Sequence, residues 1–200
     1  MRKYWTIFRV ELENTMAFRG AAMVWMLFDL LWMSVFPFLW IAVMRQTGET
    51  ILGWNETMIA TYFVFLALLS NLIFMHPEVH VGDEIYEGKL TNYLPKPQSY
   101  LVQVFFHELA WKVVRTLLFL PFFAIILLVF HSFVDFSVVK NVGLVLIALL
   151  LALLVFFLVA LCVGFVSFWF EESYPARALF WITSGLFGGL YLPLEFFPQW

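Results

Sequence analysis

The chain has 200 residues, of which 64% are apolar and only 12% charged, and its mean hydropathy is +0.92, whereas a soluble domain is about 45–50% apolar and about 25% charged. With 25 Phe and 9 Trp it carries too much apolar surface for a water-soluble globule and too many aromatics for a disordered chain, so the class is a multi-span membrane protein. The net charge of −3 gives no basic footprint for nucleic acid, and one cysteine, Cys162, excludes an internal disulfide framework.

Residues 3–19 read as an amphipathic helix lying in the cytoplasmic interface. Trp5, Phe8, Leu12 and Met16 recur at three- and four-residue spacing, while Lys3, Arg9 and Glu13 lie elsewhere. The long charged start, with Glu11 and Glu13, excludes a cleavable signal peptide. Five apolar segments follow, at about 21–44, 57–76, 114–132, 142–168 and 178–194. A helical span needs about 20 such residues to cross about 30 Å of hydrocarbon. None alternates with the period of a barrel strand, so the fold is all-α. Pro37 and Pro121 are expected to kink their helices. The last segment is the shortest and holds Gly185, Gly188 and Gly189, small residues that let a neighbouring helix approach.

Nine of the eleven Lys and Arg residues fall before the first segment, between the second and third, or after the fourth; Arg45 and Lys140 fall opposite. The positive-inside rule therefore places the N-terminus in the cytoplasm and Trp200 outside. Both external connections are short.

The largest polar region is the cytoplasmic loop 77–112. Pro77 suits a first helical turn, followed by Glu78, Asp83 and Glu84, and Gly88 is placed to end that short helix in a left-handed cap. Pro95-Lys96-Pro97 forms a rigid turn, and Ser99 can cap an approach helix showing Leu101, Phe105 and Leu109 on one side. Gly82 and Gly88-Lys89 do not make a phosphate loop: five residues intervene and Leu90 follows the lysine. His76, His80 and Glu84 could face one way and hold zinc only if the helix began at His76, because Pro77 stands where a metalloprotease needs its glutamate. The commoner reading is interfacial histidines. No nucleophile elbow, Ser/His/Asp set or cofactor motif is present, so no cofactor is expected. Glu171-Glu172 read as a solvated face, and Cys162 as a small lipid-facing or core residue. Asp29 is the one acid deep in a span. It is a candidate intramembrane polar site for substrate or proton handling, or a structural hydrogen-bonding group facing Asn71 or Ser70.

The stretch Gly82-Asp83-Glu84-Ile85-Tyr86-Glu87-Gly88-Lys89-Leu90, followed four residues later by Pro95-Lys96-Pro97, resembles the "G-K-L … L-x-x-P" stretch of type-2 ATP-binding-cassette permeases. The tail Leu192-Pro193-Leu194-Glu195-Phe196-Phe197-Pro198-Gln199-Trp200 resembles their "P-L-x-F-F-P-x-W" segment. The resemblance implies a non-enzymatic permease subunit of an exporter-type transporter, multi-pass in the plasma membrane of a prokaryotic type of cell. It would pair with a second permease, alike or different, and be driven by a separate cytoplasmic ATPase. It further implies that the short helix docks on that ATPase, through Glu78, Asp83, Glu84, Ile85, Tyr86, Gly88, Lys89 and Leu90. The family continues into an outer hairpin and a sixth span, before which this chain stops. An intramembrane metal-dependent hydrolase and a non-transport membrane scaffold are the rival readings.

Overall fold

The structure, a computed structural model, describes residues 2–47, 50, 53–93, 95, 97–131, 134–135, 141–170 and 173–198. Lys96, Lys140, Glu171, Glu172, Gln199 and Trp200 lie outside the described residues. The described chain is helical: α1 (Arg2–Ala17), α2 (Arg19–Thr47), α3 (Glu56–Ile73), α4 (Pro77–Tyr86), α5 (Tyr100–Phe130), α6 (Val142–Phe165) and α7 (Tyr174–Phe187), with short 3₁₀ turns at Lys89–Asn92, Val166–Phe168 and Leu194–Phe196. Among the described residues four helices, α2, α3, α5 and α6, are long and apolar enough to cross a membrane.

Helix α1 ends at a single turn residue, Phe18, and α2 starts at once. It packs along the first half of α5. Tyr4 and Phe8 meet Phe106 with ring centres 6.1 and 6.3 Å apart, and Glu11 Oε2 lies 2.9 Å from His107 Nδ1. The inward stripe therefore passes through Phe8, Glu11, Leu12 and Thr15, and not through the full expected set: Trp5 and Met16 face outward. Helix α3 is capped by Asn55, whose side chain accepts from Met58 N at 2.8 Å, with Glu56 favourably placed against the helix dipole. The approach helix and the third span are one 31-residue helix, α5. At 1.5 Å per residue it reaches about 46 Å, longer than the hydrocarbon layer, so one end stands clear of it. Asn141 caps α6 through Leu144 N at 3.2 Å.

The fifth expected segment, about 178–194, overlaps a shorter helix that starts and ends earlier in the chain. Helix α7 has 14 residues, about 21 Å, and ends where Gly188 and Gly189 turn the chain back, Gly189 at φ +83°. Within the chain, Gly185 and Gly189 face side chains and not a helix backbone. A Cβ at Gly185 would lie 2.5 Å from the Tyr191 ring, and one at Gly189 would lie 2.5 Å from the Tyr62 hydroxyl. The neighbours of these two are side chains from the returning tail and from α3. That tail is held at the far end of α2 and α3: Trp40 Nε1 donates to Tyr191 O at 3.1 Å, Trp54 Nε1 donates to Glu195 at 2.8 Å, and Phe196 packs edge-on against both indoles.

Three apolar clusters hold the helices together. Met75, Val81, Val104, Phe157 and Leu161 lie beneath α4; Met26, Phe119 and Phe123 join α2 and α5; Met44, Ile59 and Phe63 close the far end.

Candidate functional site

Helix α4 is seated by a glycine. A Cβ at Gly164 of α6 would stand 3.0 Å from the Glu78 Cα, 3.1 Å from the Val81 Cβ and 3.3 Å from the Pro77 carbonyl oxygen. Only a residue without a side chain admits so close a backbone crossing. Pro77 occupies the first helical turn, where its missing N–H costs no hydrogen bond, and Gly88 at φ +70° reverses the chain after the helix. Both features follow the sequence expectation.

The eight residues implied as an ATPase contact fall on two faces. Glu78 and Glu84 point inward. Glu78 is 0% exposed, and its Oε1 accepts from Trp181 Nε1 at 2.9 Å. Glu84 accepts from the hydroxyls of Tyr93 at 2.5 Å and Tyr100 at 2.7 Å. Burial and the Glu84 carboxylate push the Tyr93 phenol well above its ordinary range, so it stays a hydrogen-bond donor. Asp83, Tyr86, Gly88 and Lys89 are exposed, with Ile85 and Leu90 half-buried beside them; Tyr86 is 75% exposed. Asp83 is held by Arg177 Nη1 of α7 at 3.0 Å, and Lys89 pairs with Glu87. The exposed set forms a tip beside the Lys89–Asn92 turn.

Two residues of α5 outside the expected docking set tie this tip to the long helices. Glu108 and Lys112 stand one turn apart on α5. Glu108 Oε2 accepts from the His76 N–H at 2.8 Å, at the start of α4. Lys112 Nζ donates to the carbonyl of Asn71 at 3.2 Å and to that of Phe74, at the end of α3. Orphan groups at facing helix ends are thus satisfied by one acid and one base of complementary sign. Their four-residue spacing was the available signal.

The histidines do not share a face. The His76 ring stacks on Trp181 with centres 4.9 Å apart, whereas His80 stacks on His107 at 4.3 Å. The zinc face of His76, His80 and Glu84 is therefore not formed: α4 begins at Pro77, and His76 precedes its first turn. Among the described residues no three His, Cys, Asp or Glu side chains are placed to hold a metal ion.

Asp29 has a partner other than the two expected. Its Oδ2 receives Arg115 Nη2 of α5 as an ion pair, while Asn71 Oδ1 accepts from Thr116 Oγ1 at 3.2 Å. Arg115 stands at the start of the expected third segment, and the unbroken α5 carries it to the level of Asp29. The pair lies on a cavity of about 330 Å³ bordered by α2, α3, α5, α7 and the turn after α7. Trp181 and His76 also border it, so this cavity and the buried face of α4 share a wall. Cys162 is exposed on α6.

The chain matches the family described as ABC-2 family transporter protein over residues 30–200. No curated protein and no solved structure matches it.

Proposed function

The chain belongs to the ABC-2 family of transporter proteins, and from that premise we propose that it is an exporter-like permease subunit that pairs with a second permease and is driven by a separate ATPase docked on α4. Membership itself makes the protein a multi-pass membrane component of a transporter, not the catalyst of a reaction. The observation that carries the finer reading is the two-faced construction of α4. Its inner face is fastened by Gly164, Glu78 and Glu84, while Asp83, Tyr86 and Lys89 are left at an exposed tip. A helix presented this way suits a groove on a partner. The Glu108 and Lys112 contacts would pass a push on that tip to α3 and α5 together.

The test is site-specific. With Cys162→Ser as background, Tyr86→Cys is expected to cross-link to a cysteine in the ATPase surface groove, while Thr50→Cys at the other end of α3 is not. Efficient complex formation without any Tyr86→Cys adduct would refute α4 as the docking element.

A further inference from the structure

The cavity that Asp29 borders has a chemistry of its own. Its lining combines polar residues, Asp29, Ser70, Asn71 and His76, with hydrocarbon and ring residues such as Leu30 and Phe119. At about 330 Å³ it falls in the range of small-molecule sites, about 300–1,000 Å³. An amphipathic wall inside a membrane protein asks for an amphipathic occupant: a polar head joined to a hydrocarbon chain.

The sign of the head follows from which charge can be reached. The Arg115 side chain is only 13% exposed and the Asp29 side chain is 47% exposed. Arg115 Nε is sealed from solvent, and its Nη2 is directed at Asp29 Oδ2. Arg115 is the buried member of the pair, and the more exposed Asp29 carboxylate is the charge offered to the cavity. Among the described residues Asp29 Oδ1 has no hydrogen-bond partner. The rings of Phe74, Phe119, Trp181 and Tyr191 border the same space. A carboxylate in a space lined by aromatic residues is a combination that attracts an ammonium group, through a charge-assisted hydrogen bond and cation–π contact.

We propose that this cavity binds the ammonium head of an amphiphile on Asp29, with its hydrocarbon chain along Leu30 and Phe119. The ammonium can belong to an aminophospholipid or to a free long-chain amine. The site lies within one chain and does not depend on the ATPase reading, so it is tested on the purified full chain alone.

The experiment is native mass spectrometry of the detergent-solubilised chain with equal phosphatidylethanolamine and phosphatidylglycerol, then with dodecylamine added. The expected result is preferential retention of phosphatidylethanolamine, lost by about tenfold in Asp29→Asn, as for removal of one charge-assisted contact. Displacement of the lipid by dodecylamine, or retention of dodecylamine in its place, identifies the free amine as an occupant. Retention of the lipid against dodecylamine identifies the aminophospholipid head. Both support the site. Ala67→Leu fills the cavity while leaving Asp29 and Arg115 in place, and is expected to lower retention of either ligand; it decides the matter if Asp29→Asn does not fold. Equal retention of both phospholipids with no amine binding would overturn the proposal, as would amine retention unchanged in Ala67→Leu.

Discussion

Gly88 separates two effects that a substitution usually mixes. Its φ is +70°, yet a Cβ built there meets nothing within 4 Å. Any loss in a Gly88 variant is therefore backbone strain and not a clash. A left-handed residue with a side chain costs roughly 1–2 kcal/mol, and a β-branched one stands at the upper end. Gly88→Val is expected to lower transport-stimulated ATPase activity of the assembled complex, with Gly88→Asn much closer to the parent because asparagine tolerates this region. Equal activity of the two variants and the parent would show that the turn geometry does not matter to coupling. Pro77 and Gly88 were legible in the sequence because each acts through its own backbone. Asp29 was legible as costly and its partner was not, since Arg115 lies 86 positions away and only the continuity of α5 aligns them. Glu84 is implied by the resemblance as a docking residue, and only the folding of Tyr93 and Tyr100 over it turns it inward.

Helix α4 depends on a surface it does not contain. Its ten residues are too few to be stable alone, since isolated helices shorter than about 12–15 residues are marginal. What holds it is the crossing at Gly164, the cluster beneath Val81, and the carboxylates of Glu78 and Glu84. Gly164→Ala places a methyl 3.0 Å from the Glu78 Cα and must move backbone; overpacking of this kind costs about 1–3 kcal/mol. Gly164→Leu leaves α4 no room on α6. Limited proteolysis near Lys89 is expected to accelerate slightly in the first variant and strongly in the second, and identical digestion of all three proteins would show that α4 is not seated there. No pattern in the α6 sequence marks Gly164 apart from other small residues of an apolar helix; its meaning arises only when α4 folds back across it. Gly185 of α7 and Gly189 of the turn after it teach the same point in reverse. Their smallness was legible, but within the chain tyrosine side chains, Tyr191 at Gly185 and Tyr62 at Gly189, take the space that a helix backbone would.

At the scale of the whole molecule, the charges sort by end. Lys3 donates to the Pro97 carbonyl, Lys89 sits at the tip after α4, and Arg177 holds Asp83, so these basic residues gather on the α4 side. Arg45 lies at the other end of α3, paired with Glu56 at 3.0 Å. The 18 residues of α3 separate these ends by about 27 Å, close to the thickness of the hydrocarbon layer. The folded chain therefore carries its Lys and Arg asymmetry as a physical polarity, and the excess is expected to face the cytoplasm. Single cysteines test this in the Cys162→Ser background. Thr50 and Tyr86 are both exposed and lie beyond opposite ends of α3. In intact cells a membrane-impermeant maleimide is expected to label Thr50→Cys and to reach Tyr86→Cys only after permeabilisation. The opposite pattern would place α4 outside, where no cytoplasmic ATPase could meet it, and would remove the proposed coupling role along with the orientation. Labelling of both sites in intact cells would show that α3 does not separate the two sides at all.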